Sequence, residues 1–449
     1  MGSIAQKLAR LGETKLALRQ AINDAGGSIS ADTPFRQYVD WIRKQGATLS
    51  LDFVREQYIT RDVASMFPAA VGAGIITFTR ASGGGRFNAQ GQYEWLPANT
   101  PRIDYDPVTG ECLGLLVEEQ RTNLIPSSDT SAGNWVGGGD RVLGAATGLP
   151  GVFAVGASLA RDASGNTFNY YQSLAPVAGT TYTFSVFVRF EDGRDVDAEF
   201  GQPGTENTAL NPFAFVVNGG AFTWSTIQKK HVGGGLWRLS QTVTPSDTIT
   251  RGWGILIRRA HKAGLPRLFV TGYQLEAGAF PTSLIHTEGA QVTRAADVAS
   301  VNELSPWYNP EQGTLVASWS LIYPQAGVTN QHVAVFSDGG FMNYAGIRKQ
   351  SGGDIVGRVL VANVVHAVMS VGMATSSVMR AAMRIKSDDF AISLDGAAPA
   401  TDTSGTIPAV NKLDVGYLSA AGQYLNGHIR SIRYYPKRLS NTELQVLTA

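Results

Sequence analysis

Cysteine is nearly absent from this chain of 449 residues: Cys112 stands alone. No intramolecular disulfide can form, so stability has to come from core size and from chain-to-chain contacts. A nucleophilic cysteine needs a base beside it. Nothing in the sequence places one there, and Cys112 reads as a small apolar residue of an early strand. Charge is scarce too. Asp, Glu, Lys and Arg make up 16% of the residues and the formal net charge is +1, where ordinary domains are about a quarter charged. Such a balance supplies neither the concentrated Lys and Arg that nucleic acid requires nor a basic face for an anionic membrane. No nucleic-acid partner and no membrane insertion are expected. No apolar run approaches the ~20 residues of a transmembrane helix, and the N-terminus lacks the charged-then-apolar order of a secretion signal. A β-rich chain with neither signal nor disulfides is expected to fold in the cytoplasm of the cell that makes it and to be released by lysis.

Motifs for chemistry are missing as well. There is no Gly-x-x-x-x-Gly-Lys-Ser/Thr loop, no His-Glu-x-x-His and no Gly-x-Ser-x-Gly elbow. The six histidines, His231, His261, His286, His332, His366 and His428, are scattered. None has a partner at metal spacing, so no metal site and no cofactor are expected. His366 lies in an apolar strand and reads as a satisfied core histidine. Glu118-Glu119 and Asp388-Asp389 are adjacent pairs, whose side chains point to opposite faces of a strand. Polysaccharide cleavage needs two carboxylates across a cleft, roughly 5 to 10 Å apart, and the long period of a parallel β-helix is absent. No catalytic residue is assigned and no enzyme is expected. Asp338-Gly339-Gly340 has the composition of a calcium loop, but calcium takes six or more oxygens and the neighbourhood does not supply them; a tight turn is the stronger reading. Trp224, Trp237, Trp253, Tyr273 and Trp319 lie in or near strands. They are available to stack on sugar rings, although core burial is the commoner fate of such residues. Glycan-binding residues stay unassigned.

What is present is apolar content, glycine and tyrosine: 43% hydrophobic residues, 51 Gly and 15 Tyr. That mixture describes a folded protein of many short strands and tight turns, not a disordered one. The length calls for about three or four units. Residues 1–46 form the first, with Ile4, Leu8, Leu11, Leu18 and Ile22 at helical spacing, and Ala25-Gly26-Gly27 as the stop. A second helix starts at Thr33-Pro34 and carries Phe35, Tyr38, Val39 and Ile42 on one face. These stripes either pack on each other and on the body, or serve assembly and attachment, against copies of themselves or a partner; the second reading is preferred. From Leu49 the period becomes alternating. Residues 47–124 read as a β-rich connector, with turn signals at Ser82-Gly83-Gly84-Gly85, Asn99-Thr100-Pro101, Asp106-Pro107 and Thr109-Gly110. Residues 125–298 read as a β-sandwich. Its clearest strand is 181–190, where Tyr182, Phe184, Val186, Val188 and Phe190 alternate with Thr183, Ser185 and Arg189. Phe187 breaks the polar side of that strand, which predicts that this side is partly covered. Further strands are expected at 213–217, 236–244, 253–258 and 267–275. A second sandwich, 299–449, has Leu315, Ala317, Trp319 and Leu321 in alternation. Phe390, Ile392 and Leu394 lead into an Asp395-Gly396 hairpin signal. A strand at 429–435 and a capping box, Ser440-Asn441-Thr442-Glu443, precede a short terminal helix over 444–447. The expected class is mainly β: a short N-terminal helical segment, the connector, and two antiparallel β-sandwiches of jelly-roll type.

Several blocks resemble those of structural proteins of tailed-bacteriophage virions. They are Phe78-Thr79-Arg80-Ala81-Ser82 with Arg86-Phe87-Asn88, and Pro101-Arg102-Ile103-Asp104-Tyr105-Asp106-Pro107. The run Leu115-Leu116-Val117-Glu118-Glu119-Gln120-Arg121-Thr122-Asn123-Leu124 follows. The likeness resumes at Gly272-Tyr273-Gln274-Leu275-Glu276-Ala277-Gly278 with Phe280-Pro281-Thr282-Ser283, and closes on Val292-Thr293-Arg294-Ala295-Ala296-Asp297. In that family the intervening segment is similar to a carbohydrate-binding-module sandwich. Asn426-Gly427-His428-Ile429, Ile432-Arg433-Tyr434-Tyr435 and Arg438-Leu439-Ser440-Asn441-Thr442-Glu443-Leu444 resemble the concanavalin A-like or laminin-G-like jelly roll. The resemblance covers roughly residues 75–449. It implies a non-enzymatic virion protein, a tail fibre or appendage component attached by its N-terminus to other virion proteins of the tail, baseplate or head. It further implies a homo-oligomer, a trimer first, and sandwiches that adhere to host-surface polysaccharide. Two alternatives stay open: a purely structural baseplate, collar or head-decoration protein without receptor binding, and a polysaccharide depolymerase.

Overall fold

In the computed structural model, residues 46–449 are described apart from 67, 132, 134, 161, 163, 166, 197–212, 218–221, 225–226, 247, 249–250, 258–263, 265, 323–329, 374–375 and 419–421; before 46, only 12, 15, 16, 19, 30, 32 and 34 are described. Ile4, Leu8, Leu11, Leu18, Ile22, Phe35, Tyr38 and Ile42, the residues expected to serve attachment, lie outside the described residues. The rest of the chain is mainly β and falls into two compact units. One comprises 78–298 with 424–428; the other comprises 1–77 with 299–423 and 429–449.

The first of these, the middle unit, is a sandwich of two antiparallel sheets. One sheet orders Trp135–Gly138, Thr167–Leu174, Arg251–Ile257 and Phe213–Val217. The other orders Arg141–Ala146, Val155–Leu159, Leu268–Ala277, Tyr182–Phe190, Trp237–Pro245 and Phe222–Trp224. The strand expected at 181–190 is Tyr182–Phe190, and its five alternating apolar side chains enter the inter-sheet core with Trp135, Tyr171, Trp253 and Tyr273. Phe187, on the other side of the strand, is also buried. It packs on Phe153 at 4.7 Å between ring centroids, within a second cluster that includes Tyr93, Val232, Leu236 and Leu284. The predicted cover over the polar side is real, and residues around Tyr93 and Phe153 provide it.

In the C-terminal unit one sheet orders Pro68–Val71, Gln57–Arg61, Leu49–Asp52, Gly427–Tyr435, Gln312–Leu321, Met379–Lys386, Phe390–Leu394 and Ala400–Asp402. The facing sheet orders Val364–Ser370, Ile355–Val361, Tyr344–Lys349, Gln331–Ser337, Lys412–Val415 and Val298–Val301. The stretch 47–124, expected as one connector, therefore divides. Leu49–Asp52 pairs with the strand that ends the C-terminal sandwich, Leu49 opposite Tyr434 and Leu51 opposite Ile432, whereas 78–124 belongs to the middle unit. Pairing between strands some 380 residues apart leaves no local trace, because alternation specifies a face and not a neighbour.

Local chemistry accounts for the ends of these elements. Asp395 and Gly396 both have positive φ, 45° and 76°, the left-handed pair of a type I′ turn, closed by Ala397 N–H donating to the Leu394 carbonyl, although the strand pairing resumes only at Ile392 and Ala400. The capping box at Ser440 and Glu443 is complete, and the helix it opens runs Asn441–Thr448, longer than the expected four residues. Leu444 packs with Val316, Ala382 and Ala391, on the side of the Gln312–Leu321 sheet that Leu315, Ala317 and Trp319 leave free.

Candidate functional site

The blocks singled out in the sequence converge in the middle unit on one buried ionic cluster. Arg80 Nη1 lies 3.0 Å from Asp297 Oδ1, and Arg102 pairs with the other Asp297 oxygen. Arg102 Nη1 is 2.8 Å from Glu118 Oε2, and Arg294 Nη2 is 3.5 Å from the same oxygen. All five side chains are buried. Backbone and hydroxyl groups complete the set. Arg80 donates to the carbonyls of Ser82, Pro97 and Thr100. Ser283 donates to Glu118 through its N–H at 2.8 Å and its hydroxyl at 2.7 Å. The Glu118 N–H donates to Asp297 Oδ2 at 2.9 Å. Burial alone raises a carboxyl's pKa, but Arg294, Arg102 and the Ser283 hydrogen bonds outweigh it and hold Glu118 well below the usual carboxylate range. A carboxylate so engaged is a structural anion, without the raised pKa of a general acid.

The remaining block residues brace the same region. Asn123 Nδ2 donates to the carbonyls of Tyr273 and Ile285, while its Oδ1 accepts from the N–H groups of Ile125 and Leu275. Gln274 and Glu276 bind the 282–285 segment, with Thr282 N–H donating to Glu276 and Ile285 N–H to Gln274. Gly278 has φ 138°, a conformation that residues with a side chain rarely adopt, and a side chain there would also displace the Arg121 guanidinium.

The aromatic residues available for sugar stacking fare differently. Trp253, Tyr273 and Trp319 are fully buried, which removes them as exposed platforms. Trp237 is half-buried; the Trp224 side chain lies outside the described residues. Asp338 is a turn residue: its two oxygens accept from Gly340 N–H and Asn343 Nδ2, both at 2.8 Å. Among the described residues no three His, Cys, Asp or Glu side chains group together as metal ligands would. Asp389 is paired with Arg384 and Arg438, and Asp388 accepts from Gly405 N–H. Cys112 is half-buried at the start of Cys112–Val117. His366 departs from expectation. Its strand, Val364–Ser370, is the sheet's edge and exposes Val364, Val365 and Val368. The ring is half-buried there, with Nδ1 accepting from Thr406 N–H at 3.2 Å. Apolar residues on an edge strand mimic a core strand in sequence.

Two features of the C-terminal unit were not legible in advance. One is a pocket of about 360 Å³ between the 57–77 region and the 301–307 turn, floored by Ala70, Ile75, Val301 and Pro306, with Glu303 as its one ionisable lining residue. The other is a polar patch on the outer face of the second sheet. Gly357 faces Met369 and Met383, so its side of the strand looks into the core. Arg358, Tyr344 and Arg348 therefore point the other way. Arg358 stands opposite Gly346, diagonally between Tyr344 and Arg348, and His332 is the direct cross-strand partner of Arg348. Val335, Tyr344 and Leu360 on this face are packed under Leu418. His332, Tyr344 and Arg348 are buried, and Arg358 is half-buried. Among the described residues neither arginine has an ion-pair or side-chain hydrogen-bond partner, and the Tyr344 hydroxyl, His332 Nδ1 and both Nε atoms are buried without one. Carboxylates on the same sheet are engaged elsewhere: Asp414 with Ser337 and Lys412, and Asp354 with Ser370.

No family model matches this sequence, and no curated protein matches it. Among solved structures it is similar to the CBM40 domain of the Ruminococcus gnavus IT-sialidase, at 17% identity over 31% of this chain and 84% of that one, with a TM-score of 0.27. NanB sialidase from Streptococcus pneumoniae matches at 17% identity over 33% of this chain and 26% of that one, TM-score 0.27. The SAP-like pentraxin of Limulus polyphemus matches at 10% identity over 31% and 70%, TM-score 0.24.

Proposed function

We propose that this chain is a non-enzymatic structural protein of a tailed-phage virion, a tail fibre or appendage component held by its N-terminal segment and presenting its sandwiches to host-surface glycan. The observation that supports this reading best is the convergence of the resembling blocks. Arg80, Arg102, Glu118, Ser283, Arg294 and Asp297 come from five separate blocks, and they meet in one buried cluster. Blocks that assemble one substructure mark a shared architecture, where scattered coincidences would have no reason to meet. The second reading, a purely structural baseplate, collar or head protein, is favoured by the burial of Trp253, Tyr273 and Trp319.

Binding of the purified protein to intact host cells, before and after enzymatic removal of surface polysaccharide, separates the two. Binding that disappears with the polysaccharide is the expected result; no binding in either state leaves the structural role. Light scattering that reports a monomer at micromolar concentration would remove the trimer. Normal incorporation into particles of a chain lacking residues 1–46 would remove the attachment role.

A further inference from the structure

Resting on that reading, we infer that the outer-face patch of Arg348, Arg358, Tyr344 and His332 is the glycan site, and that its ligand is an acidic sugar carrying a carboxylate. Two arginines close enough to repel one another, one of them buried, with no carboxylate partner among the described residues, form an arrangement that an anion completes. The guanidinium fork matches a carboxylate in bidentate geometry. An inorganic anion would leave part of the site unused. His332 Nε2 faces the Gln423 Oε1 acceptor at 3.0 Å, so Nε2 carries the proton and Nδ1 is a bare acceptor. Nδ1 and the Tyr344 hydroxyl are themselves buried, so a ligand meets the guanidiniums and not these atoms.

The surroundings suit a sugar too. Arg358 marks the open side of the patch, and its cross-strand partner Val368 is 41% exposed. Phe341, 37% exposed with its ring 6.0 Å from that of Tyr344, offers an apolar surface to the C–H face of a pyranose.

Isothermal titration calorimetry with a galacturonate trimer, its methyl ester and sodium sulfate tests the assignment on the full chain and on Arg358→Gln. Arg358 is half-buried and has no ion-pair or side-chain hydrogen-bond partner among the described residues, so the variant is expected to melt with the wild type. The trimer is expected to bind the wild type. Affinity should fall about tenfold or more for the ester and for Arg358→Gln, because a charge-assisted pair is lost. Sulfate should compete only weakly. Equal affinity of wild type and variant, equal affinity for acid and ester, or sulfate binding as tight as the trimer would each overturn the inference. No trimer binding does the same. Host-cell binding decides the two levels separately. Polysaccharide-dependent binding that survives Arg358→Gln overturns this site while the proposed function stands; absence of cell binding by the wild type removes both.

Discussion

Asp297→Ala is expected to be among the most destabilising single substitutions in the middle unit, costing roughly 3–5 kcal/mol, the range for removing one partner of a buried ion pair. Asp297 accepts from two guanidiniums and from the Glu118 N–H, and none of the groups is exposed. Without it Arg80 keeps three carbonyl acceptors but loses its one countercharge among the described residues, and Arg102 is left sharing Glu118 with Arg294. Three buried cations would then face one carboxylate. Hydrogen bonds to carbonyls do not offset a desolvated charge, so the cost comes from the stranded arginines more than from the lost contacts. For a unit of this size each kcal/mol moves the melting temperature by about 2–4 °C, so a fall on the order of 10 °C is expected. Asp297→Asn should fall between, because it retains an acceptor and loses the charge. Asp140→Ala, which removes a partly exposed pair with Arg267, should stay within about 1 kcal/mol of wild type. A melting temperature for Asp297→Ala within 2 °C of the control, by calorimetry, would show that the cluster contributes little.

That cluster also marks the limit of what could be read in advance. The strand at 182–190, the Asp395-Gly396 hairpin and the Ser440 capping box were legible because each is written in neighbouring residues, as alternation, left-handed turn chemistry or a four-residue cap. The blocks containing Arg80, Arg102, Glu118 and Asp297 were recognisable as blocks, but not as partners. Arg80 and Asp297 are 217 residues apart, and no local pattern says which carboxylate meets which guanidinium. The division of 47–124 has the same cause. The outer-face patch was hidden differently. Nothing local in the sequence singles out Arg348 or Arg358, and His332 is one histidine among six. Only the register of three adjacent strands, with Leu418 lying over part of the face, makes them a group. Core burial, the commoner fate expected of Trp253, Tyr273 and Trp319, is what the structure shows; the sequence could not separate it from stacking, because a large apolar side chain in an alternating strand reads the same whether its face is covered or open.

The C-terminal unit should lose stability as the pH falls from neutral, with His332 as a main cause. Burial, reinforced by Arg348 and Arg358 and opposed by the Gln423 hydrogen bond, lowers its pKa to about 3. In the unfolded chain the same imidazole titrates near 6.5. Above about pH 6.5 both states hold it neutral and no penalty applies. As the pH falls below that value the unfolded chain takes up a proton that the folded chain refuses. Stability then declines by up to about 1.4 kcal/mol per unit until about pH 3, where the folded form protonates too. Between pH 7 and pH 5, above most carboxylate titration, the expected loss is about 2 kcal/mol. His332→Gln, which keeps an amide donor toward Gln423 but cannot titrate, should be less stable at pH 7 and nearly flat over the same interval. Denaturant unfolding of both proteins at the two pH values gives the comparison. Parallel losses in wild type and variant would mean that His332 is not the group responsible. The contrast bears on binding as well. A histidine neutral throughout this interval adds no third positive charge beside Arg348 and Arg358, so galacturonate affinity should change little from pH 7 to pH 5 even as the fold weakens.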